Sequence, residues 1–395
     1  MTTRQKIENW MFNLALPRWA AQGVDGHHGG FIERLSLTGF ADPVDFRRIR
    51  VQARQIYVFS HAALIDPDPA RQSRWREAAS QGFDYLTLNY WQGPQRGWAK
   101  SVHPGGALLD ISADSYDQAF VLFAGAWHYR ASRDARALEI VNQTLDFLDK
   151  RLACTAHGGY FEGISETGEV LRGPPRLQNP HMHMLEAMLA LHQATGDAAY
   201  LKRGENLFKL FHTRFFDGQT HSLGEYFTMD WRPMDGPLGQ IAEPGHHFEW
   251  SWLLHTYARL AGDPRAHELA HQVYEFARKH GVNPQNNLAY DEIDRSGAIL
   301  RASHRLWPQT EALKAMTAAA EHKPAPEARE AARQGIAPAV DTIFDRYIIP
   351  DTGIWHDQLD AAGKPVSTFV PATSLYHLFL AFAETLRFYD ANKSI

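Results

Sequence analysis

Residues 243–262 read EPGHHFEWSWLLHTYARLAG. Pro244 and Gly245 break whatever precedes them, and the apolar run that follows is long enough for one buried helix. With a helix starting near Gly245, His246 and Glu249 lie three apart in its first turn, on one face. An imidazole and a carboxylate at a helix mouth are the makings of a base and its orienting group.

Outward from this stretch one pattern recurs: a Gly or turn residue beside an aromatic, a short polar turn, then polar residues leading into an apolar helix. The aromatic anchors are Phe31 in HGGFIERLSLTG, Trp98 in QRGWAKSVHPGG, Tyr160 in HGGYFEGISETG, Tyr226 in LGEYFTMD, Tyr290 in NLAYDEIDRSG and Trp355 in GIWHDQLDAAG, at spacings of 67, 62, 66, 64 and 65 residues. Near-constant spacing along the whole chain marks a repeat architecture. Each period also holds an amphipathic stretch with Asp or Pro near its start, such as GDPRAHELAHQVYEFARKHG, as helix entry prefers. The stretches that follow the anchors, such as QAFVLFAGAWHY, are apolar around their circumference. An apolar inner set and an amphipathic outer set, with TRQKIENWMFNLALPRWAA as first outer helix, predict about twelve helices in six hairpins. Closing them into a toroid buries the inner set best, so the expectation is an all-α, (α/α)6 barrel with short hairpin-like turns at one end, residues 1–395 forming one domain.

At the start of the inner helices stand unusual polar or aromatic residues: Arg54, Tyr116, Asn179 and His183, His246 and Glu249, Trp307 and Glu311, and His377. Taken singly, each has a plain structural reading, such as a satisfied core histidine or a buried arginine on an internal carboxylate. Six equivalent positions that are conspicuous while the residues after them are apolar form a pattern no core selects. In a closed barrel they line one end of a central cavity, the expected form of a small-molecule site.

Composition narrows the partner. The formal charge is −5, from 40 Lys and Arg against 45 Asp and Glu, which supplies no general attraction for nucleic acid or an anionic membrane. One cysteine, Cys154, allows no intrachain disulfide framework and reads as a small buried hydrophobe. The N-terminus lacks a secretory h-region and no run is apolar enough to span a bilayer, so a cytoplasmic protein is expected. The pairs His181/His183 and His246/His247 lack the i, i+4 spacing of helical zinc ligands, and no metal is expected there. No phosphate loop, dinucleotide fingerprint or GxSxG elbow occurs.

With PGHHFEW, NPHMHMLEA, RLWPQTEA and PATSLYHLF each opening an inner helix, the chain resembles the N-acylglucosamine 2-epimerase superfamily, most closely its mannose isomerase branch. The resemblance spans essentially the whole chain and implies the same (α/α)6 barrel. It implies His246 and His377 as the acid/base pair, His183 as the third histidine of the cavity, and Arg54, Tyr116, Asn179, Glu249, Trp307 and Glu311 as residues that bind or orient a monosaccharide. It implies no metal, nicotinamide or other cofactor, and leaves monomer and homodimer both open. His247 reads as structural. The activity implied is interconversion of D-mannose and D-fructose, with D-lyxose and D-xylulose as a further pair, through a cis-enediolate. His377 is expected to be the carbon base and His246 the ring opener and oxygen shuttle, an assignment that can be exchanged. Some members carry an aromatic one turn before the arginine where this chain has Arg50. The alternatives are a 2-epimerase of mannose or cellobiose, a sulfoquinovose isomerase with Arg50 on the anion, and, from another class, an (α/α)6 glycoside hydrolase using two of Glu249, Glu311 and Asp117.

Overall fold

The computed structural model describes residues 1–392, so the last three residues of the 1–395 span lie outside the described residues. Six inner helices, Ile49–Ile65, Ser115–Ser132, Asn179–Thr195, Pro244–Ala261, Leu306–His322 and Leu375–Ala391, form a ring. Each packs on the next, and the sixth returns to the first. Six outer helices surround them: residues 3–22, then Pro69–Asn89, residues 135–152, residues 198–215, Pro264–His280 and Pro326–Arg346. This is the (α/α)6 barrel that the repeat predicts.

The sequence explains the division into two rings. The first inner helix is buried from Val51 through Ala63 without interruption, as a helix with no polar face must be. The outer helices bury one stripe, exemplified by Ala266, Leu269, Ala270, Val273 and Ala277 of Pro264–His280. Four of them start at an Asp whose carboxylate accepts the backbone N–H two residues on: Asp68, Asp134, Asp197 and Asp263. Each such cap contributes about 1 kcal/mol and fixes where the outer helix begins.

Ring closure is visible in two places. Arg34–Ser36 pairs antiparallel with Phe369–Pro371, joining the loop before the first inner helix to the loop before the last. Trp10 and Trp19 of the first outer helix pack on Trp355, with ring centres 6.2 and 5.4 Å apart, and Trp10 meets Phe382 of the sixth inner helix at 5.5 Å. The short strands do more than form local hairpins. Ala113–Asp114 pairs with Gly163–Ile164, Arg176–Leu177 with Tyr226–Phe227, and His304–Arg305 with Gln358–Leu359, tying successive loops together around one rim.

Bridge partners refine the repeat. The turn after each outer helix closes at Phe31, Trp98, Tyr160, Leu223 and Ala289, and in the sixth copy through the pairs Ile348–Trp355 and Ile349–Ile354. In the fourth and fifth copies the aromatics Tyr226 and Tyr290 lie just past the equivalent point. The position is set by backbone pairing rather than by an aromatic side chain. Cys154 is buried and unpaired, and among the described residues no helix is long and apolar enough to cross a membrane.

Candidate active site

The inner helices start at the strand-tied rim, and three of them present a histidine there with its Nδ1 on a carboxylate. His183 Nδ1 lies 3.0 Å from Glu186 Oε2, His246 Nδ1 2.9 Å from Glu225 Oε2, and His377 Nδ1 2.8 Å from Glu311 Oε1. An Nδ1–H that donates to a carboxylate fixes the tautomer and leaves Nε2 as the working nitrogen. His246 and His377 are only 6% and 7% exposed. Glu249 is thus not the orienting partner of His246 that their spacing suggests. That role falls to Glu225, on the loop twenty-one residues earlier, whereas Glu249 Oε1 lies 3.9 Å from His183 Nδ1.

The adjacent histidines do different work. His181 accepts the Tyr160 N–H at Nε2, 2.9 Å, and its Nδ1 meets the Leu177 carbonyl at 3.0 Å; His247 treats the Leu223 N–H and Glu243 carbonyl in the same way, at 2.9 and 2.8 Å. Gln52, Gln118 and Gln309 make equivalent clamps on Phe31, Trp98 and Ala289. The HMH and HH doublets therefore each combine one structural clamp with one cavity histidine, and the structural reading of His247 fits its place.

The environments of His246 and His377 are opposed. Burial works to lower the His246 pKa, but the Glu225 and Glu243 carboxylates and the hydrogen bond to Glu225 outweigh it and hold the imidazole up to about 9. Burial, with the positive charges of Arg54 and Lys314, holds His377 well below the usual histidine range. His183 is likewise pushed down, to about 3, chiefly by burial. At neutral pH this leaves the His246 imidazole charged and the His377 imidazole neutral. His246 also links to stability: its contribution is complete below the unfolded-state value of roughly 6.5 and is lost as pH rises through about 9.

Beneath His377 lies a buried charge cluster. Glu311 Oε2 is 2.6 Å from Lys314 Nζ, both side chains wholly buried. Burial and Glu249 push the Glu311 carboxyl up while Lys314 opposes them. Lys314 keeps its charge against burial because Glu311, Glu249 and Glu186 face it. Glu186 accepts from the Tyr376 hydroxyl as well, 2.6 Å. Both Glu311 oxygens are thus committed to protein groups.

Three groups are left to meet a ligand. Arg54, 5% exposed, donates to the Tyr116 hydroxyl at 2.7 Å and to Thr373. Its guanidinium lies 4.3 Å over Phe120 and 5.0 Å over Tyr376, with no carboxylate partner among the described residues. Among the described residues, Glu249 Oε1 and Asn179 Oδ1 are buried acceptors with no hydrogen-bond partner, which a native structure keeps only for a reason. Trp307 spans the two poised histidines, with ring centres 5.1 Å from His246 and 5.7 Å from His377. All nine residues singled out from the sequence thus lie on or immediately behind one rim.

The N-acylglucosamine 2-epimerase (GlcNAc 2-epimerase) family matches residues 30–381. The chain belongs to that family. It is similar to a mannose-6-phosphate isomerase of Rhizobium meliloti (strain 1021), 35% identical over 387 residues that cover 96% of this chain and 95% of that protein. A solved cellobiose 2-epimerase from Spirochaeta thermophila superposes with a TM-score of 0.86 at 27% identity, covering 98% of this chain and 96% of that one. A solved D-mannose isomerase gives a TM-score of 0.86 at 22% identity over 97% of both chains, a likeness of fold. The protein is a sugar isomerase or epimerase of this family.

Other features of this family member bear on substrate. Arg50, the candidate anion binder, is 2.8 Å from Asp117 and 3.4 Å from Asp114, so its charge is already matched. Arg305 is likewise paired with Glu243 and Asp291. Of the carboxylates a glycoside hydrolase would use, Glu311 and Asp117 are both engaged. Three donor groups have atoms within 4.8 Å of one another, His183/Glu186/Glu249, Glu225/Glu243/His246 and Glu249/Glu311/His377; in each the histidine Nδ1 already serves a carboxylate. A cavity of about 740 Å³ lies away from this site. It opens at the other end of the barrel, where Glu186, Trp127 and His255 are among its lining.

Gly245 is required by Trp307. A Cβ at 245 would meet the indole at 2.4 Å, so the ring has to move from its place between the two histidines. Gly245→Ala is expected to lose about 1–3 kcal/mol, as overpacked sites do, and to raise KM through the displaced indole. Unchanged unfolding midpoint and KM would contradict this placement.

Proposed function

We propose that the protein interconverts D-mannose and D-fructose, with D-lyxose and D-xylulose as a second pair, by proton transfer through a cis-enediolate. The observation that carries this reading is the opposed pair of carboxylate-held histidines, His246 charged and His377 neutral, flanking Trp307. His246 gives a proton to the ring oxygen as the C1–O5 bond breaks and takes the O1 proton in return, so the sugar opens as the aldehyde and His246 is charged again. Neutral His377 then takes the C2 proton, the electron pair moves into the C1–C2 bond, and the enediolate forms. Return of the proton to C1, with transfer between O1 and O2 through His246, leaves the ketose. Every step is a proton transfer, so the balance needs no redox partner.

Arg54 faces the developing enediolate oxygen, where a well-placed donor contributes about 3 kcal/mol. Asn179, Glu249, His183 and Tyr116 take sugar hydroxyls, and Trp307 supports the apolar face of the chain. Glu311 acts here through His377 rather than on the sugar. The matched charges of Arg50 and Arg305 favour a neutral sugar over a phosphorylated or sulfonated one. Turnover of D-mannose, D-lyxose, D-mannose 6-phosphate, sulfoquinovose and cellobiose, compared at equal concentration, tests this: preference for an anionic sugar overturns it.

The second reading, a 2-epimerase, rests on the same pair of histidines and on the cellobiose 2-epimerase neighbour. Two imidazoles from different helices can deliver the proton to C2 from the opposite face. The two reactions differ in product, ketose or epimer.

The pH profile follows from the same assignment. Activity is expected to hold through neutral pH and fall on the alkaline side near pH 9, as His246 loses its proton. Glu225→Gln removes the carboxylate that holds this pKa up, so the alkaline limb moves toward neutral. A limb that stays in place in Glu225→Gln would show that His246 is not the group titrating.

A further inference from the structure

At the end of the barrel remote from the histidine pair, the fifth outer helix carries HELAH, residues 267–271. Its two histidines stand four apart on one helical face, the spacing of helical metal ligands. Glu268 is exposed, so the motif does not assemble a hydrolytic centre. What it meets is a set of imidazoles from two inner helices. His255 comes from Pro244–Ala261 and His322 is the last residue of Leu306–His322.

The ring centres of His255, His267 and His322 form a nearly equilateral triangle, 5.1, 5.1 and 4.9 Å on a side. Imidazoles bound at about 2.0–2.1 Å to one tetrahedral ion have ring centres roughly 5 Å apart. The Nδ1 atoms of His255 and His267 already face each other at 2.8 Å. His322 turns its Nε2 toward Glu321, 3.9 Å away. Ligation by all three requires the His322 ring to turn about its Cβ–Cγ bond, away from Glu321, so that a ring nitrogen faces the His255/His267 pair. We propose that His255, His267 and His322 form a binding site for a divalent transition-metal ion of the zinc type.

The chemistry of the donors selects the ion. Three imidazoles and no directly bound carboxylate suit zinc, nickel or copper and not magnesium or calcium. The neighbouring cations are matched: Lys323 is 2.6 Å from Glu275, and Arg387 is 2.7 Å from Glu321. Arg259 is the remaining cation that acts on His322. Burial lowers the pKa of all three histidines, and for His255 and His322 their histidine neighbours add to it, so they are neutral and ready to ligate at pH 7. A metal replaces the proton now shared between the two Nδ1 atoms, and the fourth position is open to water. His255 and His322 line the 740 Å³ cavity, which gives the ion a path in.

The test uses the tag-free full chain, stripped with chelator and titrated with zinc against a chromogenic competitor. One zinc per chain is expected, with a rise in unfolding midpoint, and cobalt in its place should give the intense visible absorption of a tetrahedral site. His267→Ala and His322→Ala, both at half-buried positions, should each weaken zinc binding at least tenfold and leave sugar turnover unchanged. His267→Gln serves where the alanine variant fails to fold. Wild-type chain that takes up less than half an equivalent overturns the proposal, as does equal uptake by the variants.

Discussion

Replacing His377 by alanine is expected to lower kcat by about 10²–10⁴-fold, the usual contribution of a positioned acid or base, while leaving the barrel folded. His377 opens the sixth inner helix, its Nδ1 is held 2.8 Å from Glu311, and its ring faces Trp307. Its surroundings disfavour protonation, burial first and then Arg54 and Lys314, which leaves the imidazole unprotonated and open to accept a proton at neutral pH. Truncation leaves Glu311 with Lys314 at 2.6 Å, so no new unpaired charge is created and stability should change far less than rate. Circular dichroism and the unfolding midpoint check the fold, and steady-state kinetics with D-mannose the rate. A variant that keeps a tenth or more of wild-type kcat would remove His377 from the chemistry.

Glu311→Ala is expected to have the largest effect on stability. It takes the partner from a lysine with no exposed surface, and breaking a buried ion pair by removing one member costs about 3–5 kcal/mol. Glu249 and Glu186 also face Lys314, which places the loss toward the lower end of that range. The double variant Glu311→Ala/Lys314→Met should recover much of it, since the uncompensated charge is gone. Activity should not return in the double variant, because His377 still lacks the carboxylate that fixes its tautomer. Denaturant unfolding of the single and double variants reads the first claim and kinetics the second. A double variant no more stable than the single one would assign the loss to packing instead of charge.

The sequence carries the barrel because its period is covalent: six copies of one hairpin leave their spacing in the chain, and an inner helix with no polar face has nowhere to lie but inside. The positions of Arg54, Tyr116, His183, His246, Trp307 and His377 are legible for the same reason, as equivalent points of a repeat. Their partners are not. Spacing of three pairs His246 with Glu249, yet the carboxylate on His246 is Glu225, delivered by the loop between the outer and inner helices of the same hairpin, where no helical periodicity operates. Within one helix the same rule succeeds, since His183 and Glu186 are three apart and bonded. Lys314 is hidden for another reason: a lysine in TEALKA reads as solvated until ring closure brings three carboxylates around it.

The site's orphaned acceptors, Glu249 Oε1 and Asn179 Oδ1, and its unmatched cation, Arg54, together describe a ligand with both hydroxyls and a developing negative charge. An enediolate has both. The most direct test is to incubate the protein with D-mannose in D₂O and follow the sugars by NMR. D-Fructose carrying deuterium at C1 is expected in the fraction of turnovers that exchange with solvent, and its loss is expected in His377→Ala. D-Glucose without D-fructose, or no conversion of D-mannose at all, would contradict it.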